Sequence, residues 1–104
     1  MSDGEDVSET SLERIRTIGW HETKRANNLW LHKIDFEDAK NVFDSSCLVR
    51  RSEHGGEVRH HIIGIIDGQE IAIACSLHND LCWIISARRA RPTERQEYHH
   101  HVGG

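Results

Sequence analysis

The chain has 104 residues, of which 37% are hydrophobic and 29% charged, and this predicts one small domain with a modest core. Its formal charge of −4 is concentrated at one end, because residues 1–13 hold five acidic residues and no basic one. The remaining residues include 13 basic and 12 acidic side chains, so the negative total does not exclude an anionic partner.

Two absences bound the class of protein further. No apolar run approaches the length of a membrane span, and the N-terminus lacks a signal-peptide core, so we expect a cytoplasmic protein without membrane contact. Three cysteines without a CxxC pair predict reduced thiols that pack as small apolar groups: Cys47, Cys75 and Cys82.

The first third of the chain predicts an extension, a strand and a helix. Residues 1–13 are polar and acidic, which is typical of a disordered segment. Residues 14–20 are rich in β-branched side chains and predict a short strand. A helix is predicted over 21–31, with Ala26, Leu29 and Trp30 on one helical stripe, in line with which Lys33 follows.

A second helix is predicted to follow, with Asp35 as its N-cap. Its amphipathic face consists of Phe36, Ala39, Val42 and Phe43, and it should end near residues 44–46.

The periodicity then changes to that of strands. Residues 47–50 predict a strand, and 52–56 predict a polar loop. The β-rich runs 58–66 and 69–76 meet at Asp67-Gly68, a strong hairpin signal. A turn at 78–80 and a third strand over 81–87 complete a three-stranded antiparallel meander.

A last helix is predicted over 92–98. The order of strand, two helices, strands and helix predicts an α+β fold. The predicted domain covers 14–98, between the extension at 1–13 and a flexible tail at 99–104.

The chain turns abruptly basic where the last strand meets the last helix. The strand delivers arginines to its own end, and Pro92 suits the first position of a helix. Arginine at a strand end is well placed to hold a phosphate, because its planar fork donates two hydrogen bonds at once. The alternative is a solvated basic helix start beside a buried strand.

A series of short motifs runs through the chain in order. In the first half they are Trp20-His21-Glu22-Thr23-Lys24, Asn28-Leu29 with His32, and Ile34-Asp35-Phe36-Glu37-Asp38-Ala39 with Val42-Phe43. In the second half they are Glu57-Val58-Arg59, Ile63-Gly64, Ile84-Ile85-Ser86-Ala87-Arg88-Arg89-Ala90, and Glu94-Arg95 with Tyr98. Over residues 18–98 this set resembles the BrnT family, the toxin half of bacterial type II toxin–antitoxin pairs.

The resemblance implies a RelE-like α+β domain and an RNA-cleaving toxin that inhibits translation. It also implies a BrnA-like antitoxin with a ribbon-helix-helix DNA-binding domain, so that the toxin would touch DNA only through its antitoxin. Such complexes usually repress their own operon.

RNA can be cleaved without a metal when its 2′-hydroxyl attacks the adjacent phosphorus. A base must take the hydroxyl proton, cations must neutralise the phosphate, and an acid must protonate the leaving oxygen. The resemblance assigns Arg59 and Arg88 to the phosphate and His32 to acid–base work. The structural alternatives are an ion pair of Arg59 with Glu57 or Glu70, and one of Arg88 with Glu22 or Glu94. A histidine at a helix corner such as His32 is alternatively a satisfied structural residue.

Further candidates complete the predicted site. Tyr98 is a proton donor or, alternatively, a packing residue. His78 stands where the family carries an arginine, and it would have to replace that arginine on the phosphate. The predicted RNA-binding residues are Lys24, Arg25, Arg89, Arg91 and Arg95, and solvation of the helix is the alternative for Lys24.

Departures from the family pattern raise a second hypothesis. Lys33 replaces a glycine at the corner after the first helix, which costs strain if its φ is positive. His78 replaces the arginine, and Arg91 a threonine at the last helix cap. The alternative function is therefore a catalytically degenerate RelE-like module that binds an antitoxin or another partner.

We expect neither a metal nor a cofactor. His60 and His61 are adjacent on a predicted strand and therefore face opposite sides, so they cannot easily share a metal ion. His99, His100 and His101 lie in the predicted tail and do not define a dedicated site.

Overall fold

A computed structural model describes residues 15–44 and 46–102, except for the side chain of residue 54. The predicted extension at 1–13 and the last two residues of the predicted tail lie outside this range. In chain order the elements are β1 (Thr17–Trp20), α1 (Glu22–His32), α2 (Phe36–Ala39), a 3₁₀ helix (Lys40–Asp44), β2 (Leu48–His54), β3 (Glu57–Ile66), β4 (Gln69–His78), β5 (Leu81–Arg89) and α3 (Pro92–Val102).

The five strands form one sheet in the order β1-β5-β4-β3-β2. Strands β2 to β5 form an antiparallel meander, and β1 pairs in parallel with the first half of β5. The α+β class is confirmed, and the layout fits the predicted RelE-like arrangement. None of the described helices is long and apolar enough to cross a membrane.

The meander has four strands, so the prediction of a polar loop over 52–56 is wrong. β2 continues to His54, and the turn to β3 is formed by Gly55 and Gly56, whose φ angles are 58° and 84°. β2 lies at the edge of the sheet, where polar side chains reach solvent. The polarity that suggested a loop is therefore compatible with a strand.

The hairpin between β3 and β4 is confirmed. Asp67 and Gly68 have φ angles of 52° and 79°, the left-handed pair that a two-residue type I′ turn requires.

The main core lies on one face of the sheet, which we call the core face. Phe36, Ala39 and Val42 are fully buried there against apolar residues of all five strands. Gly64 permits this contact, because a methyl group at that position would lie 2.6 Å from Val42 Cγ1. The three cysteines are buried, which agrees with the prediction that they pack as small apolar groups.

The stripe predicted for α1 does not face the core. Trp30 is 73% exposed and Leu29 44%, whereas Asn28 is buried. The Asn28 side chain donates to the carbonyls of Ile34 and Ala87 and accepts from the Ala87 N–H, all at 2.9–3.0 Å. The helix is therefore attached to β5 through an amide, and its apolar stripe faces outward.

The second face of the sheet, which we call the α3 face, carries a smaller cluster. α3 packs on β2 and β3 there and buries Leu48, Ile63, Ala72 and Tyr98. The prediction that the helix ends at Tyr98 is wrong, since it continues to Val102 and includes the three histidines that had been assigned to a tail. Val102 packs against this cluster, which gives the last turn an apolar anchor.

The corner after α1 has the strained geometry that the missing glycine implied. Lys33 is the C-cap with φ 62° and ψ 29°, and its N–H donates to the Leu29 carbonyl. Left-handed backbone of this kind is costly for a lysine and free of steric cost for glycine.

Asn28→Ala should lower the free energy of unfolding by about 3 kcal/mol, because it removes three hydrogen bonds and leaves backbone groups of Ile34 and Ala87 unsatisfied. Trp30→Ala should change it by less than about 0.5 kcal/mol, since the ring is exposed. Urea denaturation of both variants tests this, and equal losses would contradict the orientation of α1.

Lys33→Gly should stabilise the protein by about 0.5–1 kcal/mol, because it relieves the left-handed backbone. Asn79 also has a positive φ, 56°, but asparagine tolerates that region. Asn79→Gly is therefore a matched control with a smaller expected gain in thermal unfolding experiments. A lower melting temperature for Lys33→Gly would show that the corner is not strained.

Candidate functional site

Between Glu70 and His78, the α3 face of β4 carries only small side chains, and we call this strip the trough. α3 covers Ala72 at one end of the strip, while Ala74 and Ser76 stay partly exposed. We define the trough by a floor of Ala74 and Ser76, with Arg59 and His61 of β3 on one side and Trp83 and Ser86 of β5 on the other. The register puts His61, Ala74 and Ser86 in one row and Ser76 beside Trp83.

Arg59 retains hydrogen-bonding capacity that its described neighbours do not use. Its Nη2 contacts Glu57 Oε1 at 3.3 Å, which is one of the two ion pairs foreseen as the structural alternative. Its Nε is buried and has no hydrogen-bond partner within the described range. The same holds for Oγ of Ser52, the cross-strand partner of Arg59. Unsatisfied polar atoms at adjacent positions require an explanation, and an anion that displaced the groups covering them would supply acceptors to both.

His61 is a further candidate residue, which the sequence analysis did not nominate for this site. It lies on the same face of β3 as Arg59, about 7 Å away between Cα atoms, and its cross-strand neighbour is Arg50, which pairs with Glu97 of α3. Its neighbour in sequence, His60, points to the core face, where burial lowers the pKa of the imidazole. Side chains alternate between the two faces of a strand, so His60 and His61 lie on opposite faces. The same alternation could have predicted that His61 and Arg59 share a face.

His78 ends β4 at the open end of the trough and is exposed. Its register partner on β5 is Leu81, and both lie on the α3 face. Continuing the β3–β4 register by three residues brings His78 level with Glu57. Arg59 therefore lies between His61 and His78, which are separated by about 14 Å at their Cα atoms.

Arg88 lies at the closed end of the trough, where it holds α3. Its Nη1 and Nη2 donate to the two carboxylate oxygens of Glu94 at 2.8 and 3.0 Å, the second ion pair foreseen as an alternative. The Glu94 carboxylate also accepts a hydrogen bond from the backbone N–H of Arg91 at 2.7 Å. This is one of the two hydrogen bonds of a capping box. The other requires a serine or threonine at the N-cap, where this chain has Arg91. The guanidinium of Arg88 holds the pKa of Glu94 at about 2.

Arg59 and Arg88 do not form one phosphate clamp in this structure. Four residues along β3 and two strands separate them, which corresponds to roughly 16 Å between Cα atoms. The predicted pair is therefore divided between the open and the closed end of the trough.

Two further candidates have structural partners. Arg25 donates to both carboxylate oxygens of Asp35 at 2.7 and 3.1 Å, and this guanidinium lowers the pKa of Asp35. The pair links α1 to the N-cap of α2. Tyr98 lies on the sheet-facing side of α3 and is 7% exposed, and its hydroxyl donates to the Ser46 carbonyl at 3.3 Å, which matches the packing alternative.

The remaining basic candidates lie outside the trough. α1 runs alongside the second half of β5, so His32 reaches the end of β5 that is far from Arg59, and Lys24 lies one turn before Asn28. Three exposed arginines surround the start of α3: Arg89, Arg91 and Arg95. Arg95 donates to the Ala90 carbonyl at 2.9 Å.

Within residues 15–44 and 46–102, no three histidine, cysteine or carboxylate side chains are grouped as metal ligands.

An arginine and two histidines along a trough of small side chains form a candidate site for an anionic ligand on an α+β sheet. A family model described as "Ribonuclease toxin, BrnT, of type II toxin-antitoxin system" matches residues 20–94, a range that includes the whole trough. The chain therefore belongs to the BrnT family of ribonuclease toxins, which confirms the resemblance seen in the motifs. A comparison with curated proteins found no significant match.

Stability should fall in acid as Glu94 is protonated. The folded-state pKa of Glu94, about 2, lies below its ordinary value of 4.5, so its pair with Arg88 contributes fully above about pH 4.5 and is lost as pH falls toward 2. Glu94→Gln should remove about 1–2 kcal/mol at neutral pH, after allowance for solvent screening.

Urea denaturation at neutral pH and at about pH 3 tests this linkage. The stability difference between wild type and Glu94→Gln should shrink on acidification. Glu53→Gln, which alters an exposed carboxylate of β2, serves as a control. A difference that is unchanged between the two pH values would refute the assigned role of the pair.

Proposed function

We propose that this toxin cleaves single-stranded RNA without a metal, in the trough, with Arg59, His61 and His78 as its catalytic residues. Arg59 binds the scissile phosphate and stabilises the charge that develops on its oxygens. The two histidines flank that phosphate and exchange the two protons of the reaction. His32, Arg88 and Tyr98, which the resemblance also nominated, are not required in this proposal.

The chemistry needs only these groups. One histidine removes the proton of the 2′-hydroxyl as its oxygen bonds to phosphorus, and the other gives a proton to the departing 5′-oxygen. The products are a 2′,3′-cyclic phosphate and a 5′-hydroxyl end. Arginine is suited to the phosphate because its fork matches two oxygens and stays protonated throughout.

The observation that carries this proposal is the pair of buried polar atoms at Arg59 Nε and Ser52 Oγ, which have no hydrogen-bond partner in the described part of the chain. A phosphate oxygen would accept from them once the side chains that cover them moved aside, so the proposal includes a local rearrangement around Arg59 on binding. Arg88, in contrast, already gives its Nη1 and Nη2 to Glu94, so it is the weaker candidate for the same task.

Outside the trough, the exposed cations at the start of α3 and on α1 would contact the RNA backbone: Lys24, Arg89, Arg91 and Arg95. Such contacts add affinity without sequence preference and weaken as salt rises.

The partner follows from the family, since a type II system pairs a toxin with a protein antitoxin. We propose a BrnA-like antitoxin with a ribbon-helix-helix domain, through which the toxin would reach DNA indirectly. The site of action would be the cytoplasm, where translation occurs. A short ribbon-helix-helix reading frame beside this gene would support this partner.

Arg59→Ala should lower cleavage of a single-stranded RNA by about 100-fold, because it removes the main cation at the transition state. His61→Ala and His78→Ala should each cost about 100-fold or more through lost proton transfer. Cleavage is followed with end-labelled RNA, and chelator should not abolish it. Induced wild-type protein should arrest growth and label incorporation, and Arg59→Ala should not.

Lys40→Ala is the matched control for charge, since Lys40 is exposed on the 3₁₀ helix and pairs with Glu37. His100→Ala, on the exposed side of α3, is the control for histidine. Full activity in folded Arg59→Ala or His61→Ala would refute the proposed catalytic site. A folded wild type that neither cleaves RNA nor arrests growth would favour the degenerate binding module.

A further inference from the structure

Trp83 is the one large aromatic side chain that borders the trough among the described residues. It is half-buried, although it stands on an internal strand with only Ser76 and Gly19 as its register neighbours. Neither neighbour covers an indole. The side of the ring toward Ser76 therefore borders the trough.

The indole is held in place from the opposite side. A methyl group at Gly19 would lie 2.9 and 3.0 Å from ring atoms Cζ3 and Cε3, so the ring occupies the space that this glycine leaves open. The imidazole of His21 meets it edge-on, with ring centroids 4.9 Å apart and an interplanar angle of 84°. The side chain is thus fixed before any ligand arrives, which reduces the entropy lost on binding.

Trp83 and Arg59 lie on opposite sides of the same part of the trough. Trp83 is paired with Ser76, and continuing the β3–β4 register by one residue brings Arg59 to the other side of Ser76. Two strand spacings separate them, about 10 Å between Cα atoms. A cation and an aromatic ring at this separation, with a floor of small side chains between them, match the phosphate and the base of one nucleotide.

We propose that Trp83 is a stacking subsite for an unpaired base of the RNA whose phosphate lies at Arg59. The subsite selects single-stranded RNA, because only an unstacked base can lie against the ring. It is tolerant of base identity, since every base has a π-face. The inference rests on the proposed function, because it assumes that the trough is where RNA binds.

The experiment measures affinity for two oligomers that the enzyme cannot cleave: 2′-O-methyl oligoadenylate and an abasic oligomer with the same backbone. Trp83→Ala should bind the oligoadenylate about tenfold more weakly than wild type. It should bind the abasic oligomer as wild type does. Trp83→Phe should keep most of the affinity, and Trp30→Ala, which removes an exposed indole from α1, should change neither value.

Unchanged oligoadenylate affinity in folded Trp83→Ala would overturn the subsite. An equal loss on both oligomers would also overturn it, because the ring would then act only by holding the trough together. These failures differ from failure of the proposed function, in which wild type itself neither cleaves RNA nor arrests growth. Circular dichroism and thermal unfolding establish that each variant is folded.

Discussion

The amide of Asn28 connects the helical and the sheet layers of this protein. β1 pairs with β5 only as far as Ile84, and β5 then continues without a strand on that side. Asn28 supplies the missing partner, since its side chain accepts the N–H of Ala87 and donates to its carbonyl. A buried amide in this position replaces a strand residue, so α1 needs no apolar face toward the sheet. That frees its apolar stripe to point outward.

An irregularity in β5 decides which residues reach the trough. The register shifts between Ala74 and Cys75, so that Ile85 is the extra residue on β5. Without it, strict alternation from Trp83 would turn Arg88 to the core face and Ala87 to the α3 face. The bulge instead buries Ala87 and presents Arg88 to Glu94. Because of this one inserted residue, Trp83 and Arg88 both lie on the α3 face, where one borders the trough and the other pairs with Glu94.

The sequence predicted local features well, but it did not predict those that depend on the Asn28 amide and on the bulge in β5. The Asp67-Gly68 hairpin and the Asp35 N-cap were predicted correctly because their signals are local. The orientation of α1 was not predicted, since three hydrogen bonds from Asn28 outweigh an apolar stripe that periodicity alone would bury. The position of Arg88 depends on a bulge with no sequence signature. The roles of Arg59 and His61 remain proposals, although a count of alternate residues along β3 puts both on one face.

The topology also constrains the order in which the sheet can assemble during synthesis. β1 is made early, but its only strand partner in the described sheet is β5, near the other end of the chain. The meander of β2 to β5 can form through short turns as each strand leaves the ribosome. β1 and the indole packed over Gly19 can join only after β5 has emerged. The parallel edge of the sheet is therefore the last part of it that can form during synthesis.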